Sequence, residues 1–316
     1  MLGDEQVAQF ERDGFLIVED LISEPELETI RRRIVDIVQG RTDYPKKHLE
    51  FEPNADRTRY LDNFRKLNHC AEHDQVFLDL ARNPGILSVV ESLLGPDIKL
   101  LADGFFLKPP GGIEKTYHQD SPYFSIEPMN LVSSWSAIDD VTLENGCMWV
   151  VPGSHKEGPL EHSQVWMVGD RKDRCVPDSA FDRSKEVPIT MKAGSVSFHH
   201  SLLLHRSGPN NTPNRRRGLA SLYMSARSRW TGSPEKKPDY PLMKGREFPD
   251  CVYPHGSCLP QRSRPPFKIT MGACLLDASD CLLLGGSFLF VFVFSFMPVT
   301  PYDGFWFSAP MSAVSD

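Results

Sequence analysis

A chain of 316 residues with 40% hydrophobic and 24% charged residues can bury a sizeable core, which excludes a disordered or low-complexity protein. A net charge of −7 argues against nucleic acid as the principal partner, because phosphate backbones select basic surfaces. The basic runs Arg31-Arg32-Arg33 and Arg215-Arg216-Arg217 are local, and the first reads as the solvated face of a helix.

Residues 4–12 and 23–39 have helical periodicity. The second helix starts on Ser23 with Glu26 three positions later, a capping box, and then repeats Leu27, Ile30, Ile34, Ile37 and Val38 along one stripe. Between them the Asp13-Gly14 turn feeds a short strand, Phe15-Leu16-Ile17-Val18. Residues 40–66 are polar and irregular and predict a long loop bordering the site entrance. Residues 73–94 predict two helices broken at Asn83-Pro84.

From Ile98 onward the pattern changes to short apolar runs at 98–108, 131–139, 146–151, 186–192, 194–204 and 218–228, punctuated by glycine and proline turns. Many short strands at such spacing predict a mainly β sandwich or barrel with helices buttressing one sheet, and a jelly roll (double-stranded β-helix, cupin-like) fits well. The charged, proline-containing segment 156–185 reads as a surface insertion.

One motif carries chemistry. In Thr116-Tyr117-His118-Gln119-Asp120 an imidazole and a carboxylate stand two residues apart, so on a strand both would leave by the same face. A second imidazole, His205, ends the apolar run Ser201-Leu202-Leu203-Leu204 about 85 residues downstream. Two His and one carboxylate form the facial triad of non-haem Fe(II) oxygenases, a ligand set that leaves half the octahedron open.

Around this motif the chain resembles the phytanoyl-CoA dioxygenase family of Fe(II)/2-oxoglutarate-dependent oxygenases. The resemblance runs from about Gln6 to Pro254. It rests on Leu107-Lys108-Pro109-Pro110, His118-Gln119-Asp120, Trp135-Ser136-Ala137, Glu144-Asn145-Gly146-Cys147, Pro152-Gly153-Ser154-His155, and His205-Arg206-Ser207-Gly208 followed by Arg216. It implies that His118, Asp120 and His205 hold Fe(II) and that Arg216, eleven residues after His205, takes the far carboxylate of 2-oxoglutarate. A one-residue slip in register would transfer that role to Arg215 or Arg217. It further implies that Lys108 and Ser207 contact the co-substrate and that Trp135 and Gln119 line its pocket. Read as residues alone, Trp135 also suits the sandwich core, Lys108 a strand end, and Asn145-Gly146 a plain turn; His155, His199 and His200 are candidates for supporting roles. The implied reaction consumes O2 and 2-oxoglutarate, releases succinate and CO2 and hydroxylates an unactivated C–H bond of a small or lipid-like molecule, with ascorbate as a possible support. The presence of Asp120 excludes the halogenating variant, which gives that ligand position to halide. A non-catalytic jelly-roll binding protein is the alternative from another class. A CoA thioester would want cations near the entrance, and Arg57, Arg59, Arg65 and Lys66 are candidates.

The sequence divides into a domain over residues 1–260 and an atypical apolar tail over 261–316. Residues 281–302 carry no charge, and Phe alternates through 288–296. This tail reads as a membrane tether, as an added strand, or as a segment unrelated to the fold. Seven cysteines without repeating spacing and no evident targeting segment predict free thiols and a cytoplasmic location, ahead of a peroxisomal or membrane-tethered one. A zinc site from Cys251, His255 and Cys258 lacks a fourth ligand at finger-like spacing.

Overall fold

The computed structural model describes residues 1–53, 63–169, 171–233, 240–248 and 251. Helix α1 (Asp4–Asp13) stops where Gly14 turns left-handed, at φ 83°, which glycine adopts without a steric penalty; the chain then enters β1 (Phe15–Val18). Helix α2 (Glu24–Val38) opens on the Ser23–Glu26 capping box and buries the predicted stripe of Leu27, Ile30, Ile34, Ile37 and Val38. A 3-10 turn at Lys46–His48 leads into β2 (Leu49–Phe51), followed by β3 (Phe64–Asn68). The segment expected to be a polar loop is therefore partly a strand pair, with Leu49 opposite Leu67 and Glu50 opposite Lys66. Its apolar residues are too few for a periodicity signal, and pairing with a longer strand decides its structure instead. Helices α3 (Cys70–His73), α4 (Gln75–Ala81) and α5 (Pro84–Leu94) follow, the last starting at the Asn83 cap.

The β-rich part begins with β4 (Ile98–Lys108), β5 (Lys115–His118), β6 (Ile126–Glu127), β7 (Val132–Ala137) and β8 (Met148–Val150). The segment read as an insertion holds a hairpin of β9 (Gln164–Val168) and β10 (Arg171–Cys175). Then come β11 (Val187–Ile189), β12 (Val196–His200), β13 (His205–Ser207), β14 (Arg216–Ser225), β15 (Arg229–Trp230) and β16 (Leu242–Lys244). The run predicted as one strand over 194–204 breaks at Ser201, and His205 opens a new strand in the other sheet.

A large antiparallel sheet runs β1-β12-β7-β14-β4-β3-β2, with β16 beside β4; a smaller one runs β11-β8-β13-β5. Helices α2, α4 and α5 cover one face of the large sheet, packing Ile30, Ile34, Phe77, Ile86 and Val90 against Leu16, Phe105, Phe198 and Leu219. The opposite face meets the small sheet through Ala137 and Trp135 on one side and Val150 and Ile189 on the other. Burying each such large apolar side chain contributes about 1.5–3 kcal/mol, so the two-sheet stack is held from both faces. This is a jelly roll with helices on one outer face.

Among the described residues no helix is long and apolar enough to cross a membrane. The readings of residues 261–316, and of His255 and Cys258, lie outside the described residues, as do Arg57 and Arg59. Cys70, Cys147 and Cys175 are buried free thiols, whereas Cys251 is disulfide-bonded, so the expectation of free thiols does not hold there.

Candidate metal centre and its surroundings

His205, at the start of β13, lies directly opposite His118, at the end of β5. Cross-strand partners project to the same face, and the two ring centroids are 4.2 Å apart. Each ring is oriented by the same device. His118 Nδ1–H donates to the Thr116 carbonyl at 2.8 Å and His205 Nδ1–H to the Leu203 carbonyl at 2.9 Å. A carbonyl can only accept, so both protons sit on Nδ1 and both Nε2 lone pairs face inward.

Asp120 joins them by a different route from the one its spacing suggested. The strand ends at His118, and Asp120 has helical dihedrals (φ −77°, ψ −44°) at the entry of the 3-10 turn Ser121–Tyr123. The backbone N–H groups of Asp120 and Ser121 both donate to the Ser201 carbonyl, at 2.8 and 3.0 Å, clasping this turn to the one before His205. The carboxylate thereby comes within 3.9 Å of His118 Nε2 and 3.8 Å of His205 Nε2 through one oxygen, Oδ1. The three donors lie within 4.8 Å of one another and all three residues are buried, the arrangement a single divalent ion fits.

The other oxygen, Oδ2, belongs to the large sheet. Ser133 Oγ donates to it at 2.7 Å, and His199 Nε2 approaches to 3.4 Å. Ser133 and His199 are themselves cross-strand partners on β7 and β12. Burial alone would raise the Asp120 carboxyl, but the imidazoles of His205, His199 and His118 hold it well below the usual carboxylate range. Burial also lowers both ligand imidazoles, His205 to about 4, so they are neutral and able to coordinate at neutral pH. Ser133→Ala removes the hydroxyl that aims this carboxylate. It is expected to weaken Fe(II) binding about 10–100-fold, read by titrating the metal-free protein, with the fold retained.

A second cross-strand pair stands on the large sheet. Arg216, first in β14, is directly opposite Lys108, last in β4. Arg216 is 4% exposed and Lys108 8%, and like charges directly opposite destabilise a sheet. Arg216 Nη2 donates to the Gly146 carbonyl at 2.6 Å, while its buried Nε has no partner. Lys108 Nζ reaches Ser207 Oγ at 3.0 Å and the Gly208 carbonyl. Burial pushes the Arg216 guanidinium down to about 10, and burial together with Arg216 and Arg171 pushes Lys108 well below the usual lysine range. Gly146 is held at φ 86°, and a Cβ there would stand 2.5 Å from the Gly208 oxygen and 2.9 Å from Lys108 Cδ. That turn, read from sequence as a turn alone, also positions both cations. The neighbouring Arg217 faces the other way, into a paired contact with Asp139.

The Arg216 guanidinium lies 5.0 Å from the Trp135 ring centre, a cation–π contact. Trp135 fits there because position 218 is glycine: a Cβ on Gly218 would fall 2.1 Å from Trp135 Cζ2. Gly218→Ala is expected to push the indole off Arg216 and destabilise the fold by about 1–3 kcal/mol, measured by urea unfolding followed through tryptophan fluorescence.

The structure thus brings together His118, Asp120 and His205, and separately Lys108, Ser207, Arg216 and Trp135. Gln119 stands apart. Its amide donates to the Gly158 and Leu202 carbonyls and accepts from Leu160 N, so its side chain ties the 158–160 segment to the turn before His205. His155 and His200 pack on each other, 5.2 Å between ring centres, with Phe10 behind His200. Arg65, a candidate entrance cation, is paired with Glu50, and burial lowers the Lys66 ammonium to about 8. Ser133 and His162, whose Nε2 accepts the Gln119 N–H at 2.9 Å, were not singled out from the sequence. The cue for Ser133 is a serine-rich strand in the middle of a sheet, where each buried hydroxyl needs a partner.

Comparison with known proteins agrees with this geometry. A family model described as phytanoyl-CoA dioxygenase (PhyH) matches residues 10–218. The chain is 29% identical over 236 residues to the peroxisomal phytanoyl-CoA dioxygenase of Rattus norvegicus, covering 72% of this chain and 69% of the rat protein. Its fold resembles that of the non-heme monooxygenase ThoJ in its apo form (TM-score 0.62, 24% identity, 78% of this chain and 86% of ThoJ). It also resembles EctD from S. alaskensis with 2-oxoglutarate and 5-hydroxyectoine (TM-score 0.59, 21% identity, 82% and 89%). A buried two-histidine, one-aspartate cluster on a jelly roll, within a match spanning well over half of the sequence, leads to one assignment: the chain belongs to the phytanoyl-CoA dioxygenase family and is an Fe(II)- and 2-oxoglutarate-dependent oxygenase of small molecules.

Proposed function

We propose that this enzyme hydroxylates an unactivated C–H bond of a small or lipid-like organic molecule. In this reading His118, Asp120 and His205 hold the iron, and Arg216, Lys108 and Ser207 take the far carboxylate of 2-oxoglutarate. The observation that carries it is the like-charged pair: two buried cations face each other across a sheet, and one buried guanidinium nitrogen has no partner. An anion with two oxygens relieves both conditions, and the planar guanidinium can bind it in a fork.

The bound iron supplies activation of O2, coupled to conversion of 2-oxoglutarate to succinate and CO2. The chain's own residues hold geometry and charge. Thr116 and Leu203 carbonyls fix the imidazole tautomers, and Ser133 fixes the carboxylate. Trp135 covers the guanidinium and keeps it dry, which strengthens its attraction for a carboxylate. Gln119, given its three backbone contacts, acts on the site through the turn it ties rather than by touching co-substrate.

The test mixes protein with Fe(II), ascorbate and 2-oxoglutarate and measures succinate, with a panel of acyl-CoAs, free acids and amino acids as substrates. Stimulation by one class together with a hydroxylated product supports the reading and names the substrate. Binding of 2-oxoglutarate without succinate from any panel member makes the chain a non-catalytic binding protein instead. We assign the activity to residues 1–260 and to the cytoplasm; the thiols of Cys70, Cys147 and Cys175 are free and Cys251 is disulfide-bonded, so the cysteines do not decide the compartment.

A further inference from the structure

We propose that His48, His69 and His73 form a second divalent-cation site, separate from the iron triad, which clips together the two ends of the β2–β3 strand pair. Zinc is the cation its donors favour.

The three imidazoles come from both sides of that strand pair. His48 ends the 3-10 turn just before β2, while His69 follows β3 directly and His73 closes α3. Leu49 is opposite Leu67, so the first ring and the other two meet where the pair begins and ends. His48 lies 4.7 Å from His69 and 4.9 Å from His73, ring centre to ring centre, and His69 is 6.3 Å from His73. Imidazoles sharing one tetrahedral zinc at about 2.0–2.1 Å place their ring centres roughly 5 Å apart; the two spacings from His48 match this, whereas His69–His73 is wider and the His48 and His73 rings are stacked, with 23° between their planes.

Two further observations point the same way. His69 has a left-handed backbone (φ 59°) as the cap of α3, which fixes where its ring leaves the chain. Glu72 lies with one oxygen 3.2 Å from His69 Nδ1 and the other 3.7 Å from His73 Nε2. A carboxylate beside one ring nitrogen keeps the proton there and makes the other nitrogen the lone-pair donor, the usual support of a metal-bound histidine. Burial, with His69 and His73 beside it, lowers the His48 imidazole to about 4, so this ring carries no competing proton at neutral pH.

Among the described residues only the iron triad has its donors already within 4.8 Å of one another. Closing the histidine site therefore requires rotation of the rings about their Cβ–Cγ bonds, which the partial exposure of His69 and His73 leaves room for. A fourth position falls to water. Occupancy would stiffen the strand pair that carries Glu50, Arg65 and Lys66 and leads into Glu52, whose charge acts on Lys108.

Metal stoichiometry tests this independently of the oxygenase reading. Full-length protein is stripped, loaded with zinc, desalted against a weak chelator and analysed for bound metal. Two equivalents are expected for the wild type, and one each for His118→Ala/His205→Ala and for His48→Gln/His73→Gln. Loading with Co(II) should give a tetrahedral visible spectrum in the first variant that disappears when His48→Gln and His73→Gln are added, with circular dichroism confirming the fold. An iron-site variant that retains no zinc, or a His48→Gln/His73→Gln protein that retains both equivalents, overturns the proposal.

Discussion

His205→Ala is expected to abolish succinate formation, and His118→Ala and Asp120→Ala to do the same. His205 and His118 are a cross-strand pair, so in the proposed site deleting either would leave one imidazole and one carboxylate oxygen for an ion that needs three protein donors. No other described side chain replaces the lost ligand: His199 is near, with its ring 4.9 Å from His205, but its Nε2 is turned to Asp120 Oδ2, the oxygen away from the site. The loss is therefore of metal, and it should appear as absent Fe(II) uptake at wild-type thermal stability rather than as unfolding. A His205→Ala protein that still forms succinate at the wild-type rate would remove the triad from the mechanism.

Arg216→Ala is expected to raise the 2-oxoglutarate KM at least about tenfold with a smaller change in kcat. A charge-assisted hydrogen bond to a buried group is worth roughly 1.5–3 kcal/mol, and about 1.4 kcal/mol is one decade in affinity. The buried environment favours the upper part of that range, because Arg216 is 4% exposed and covered by Trp135. Relief of its repulsion with Lys108 offsets part of the loss, so Arg216→Lys should restore less than half of the effect: lysine keeps the charge and the repulsion but has no fork. An unchanged KM in Arg216→Ala would transfer the role to Arg215, because Arg217 is committed to Asp139.

Much of this was legible in the residues themselves, and the failures have physical causes. Helix α2 was readable because a capping box and a 3.6-residue apolar stripe agree with each other. The short β2 and β3 were not, since strands of three and five residues with Lys, Arg and Glu on them owe their existence to the neighbouring β4. His118 and Asp120 were identified as a unit for an incomplete reason. Strand alternation puts side chains two residues apart on one face, whereas the chain uses a turn clamped by the Ser201 carbonyl to deliver the same convergence. Gln119 was placed in the pocket by the family resemblance. Its side chain instead spends its three hydrogen bonds on backbone groups of Gly158, Leu160 and Leu202. The clustering of His48 with His69 and His73 depends on strand pairing between them and has no signature in spacing.

The imidazoles sit on one sheet and the two cations on the other, and Asp120 is gripped by a serine from the sheet it does not belong to. A dicarboxylate held at both ends would then act as a rivet through the whole sandwich. Loading it should raise the melting temperature of the entire domain, and apolar side chains between the sheets, such as Ile189 and Val150 (itself directly opposite His205), become tuning screws for the catalytic bite because they set the gap that the rivet must span.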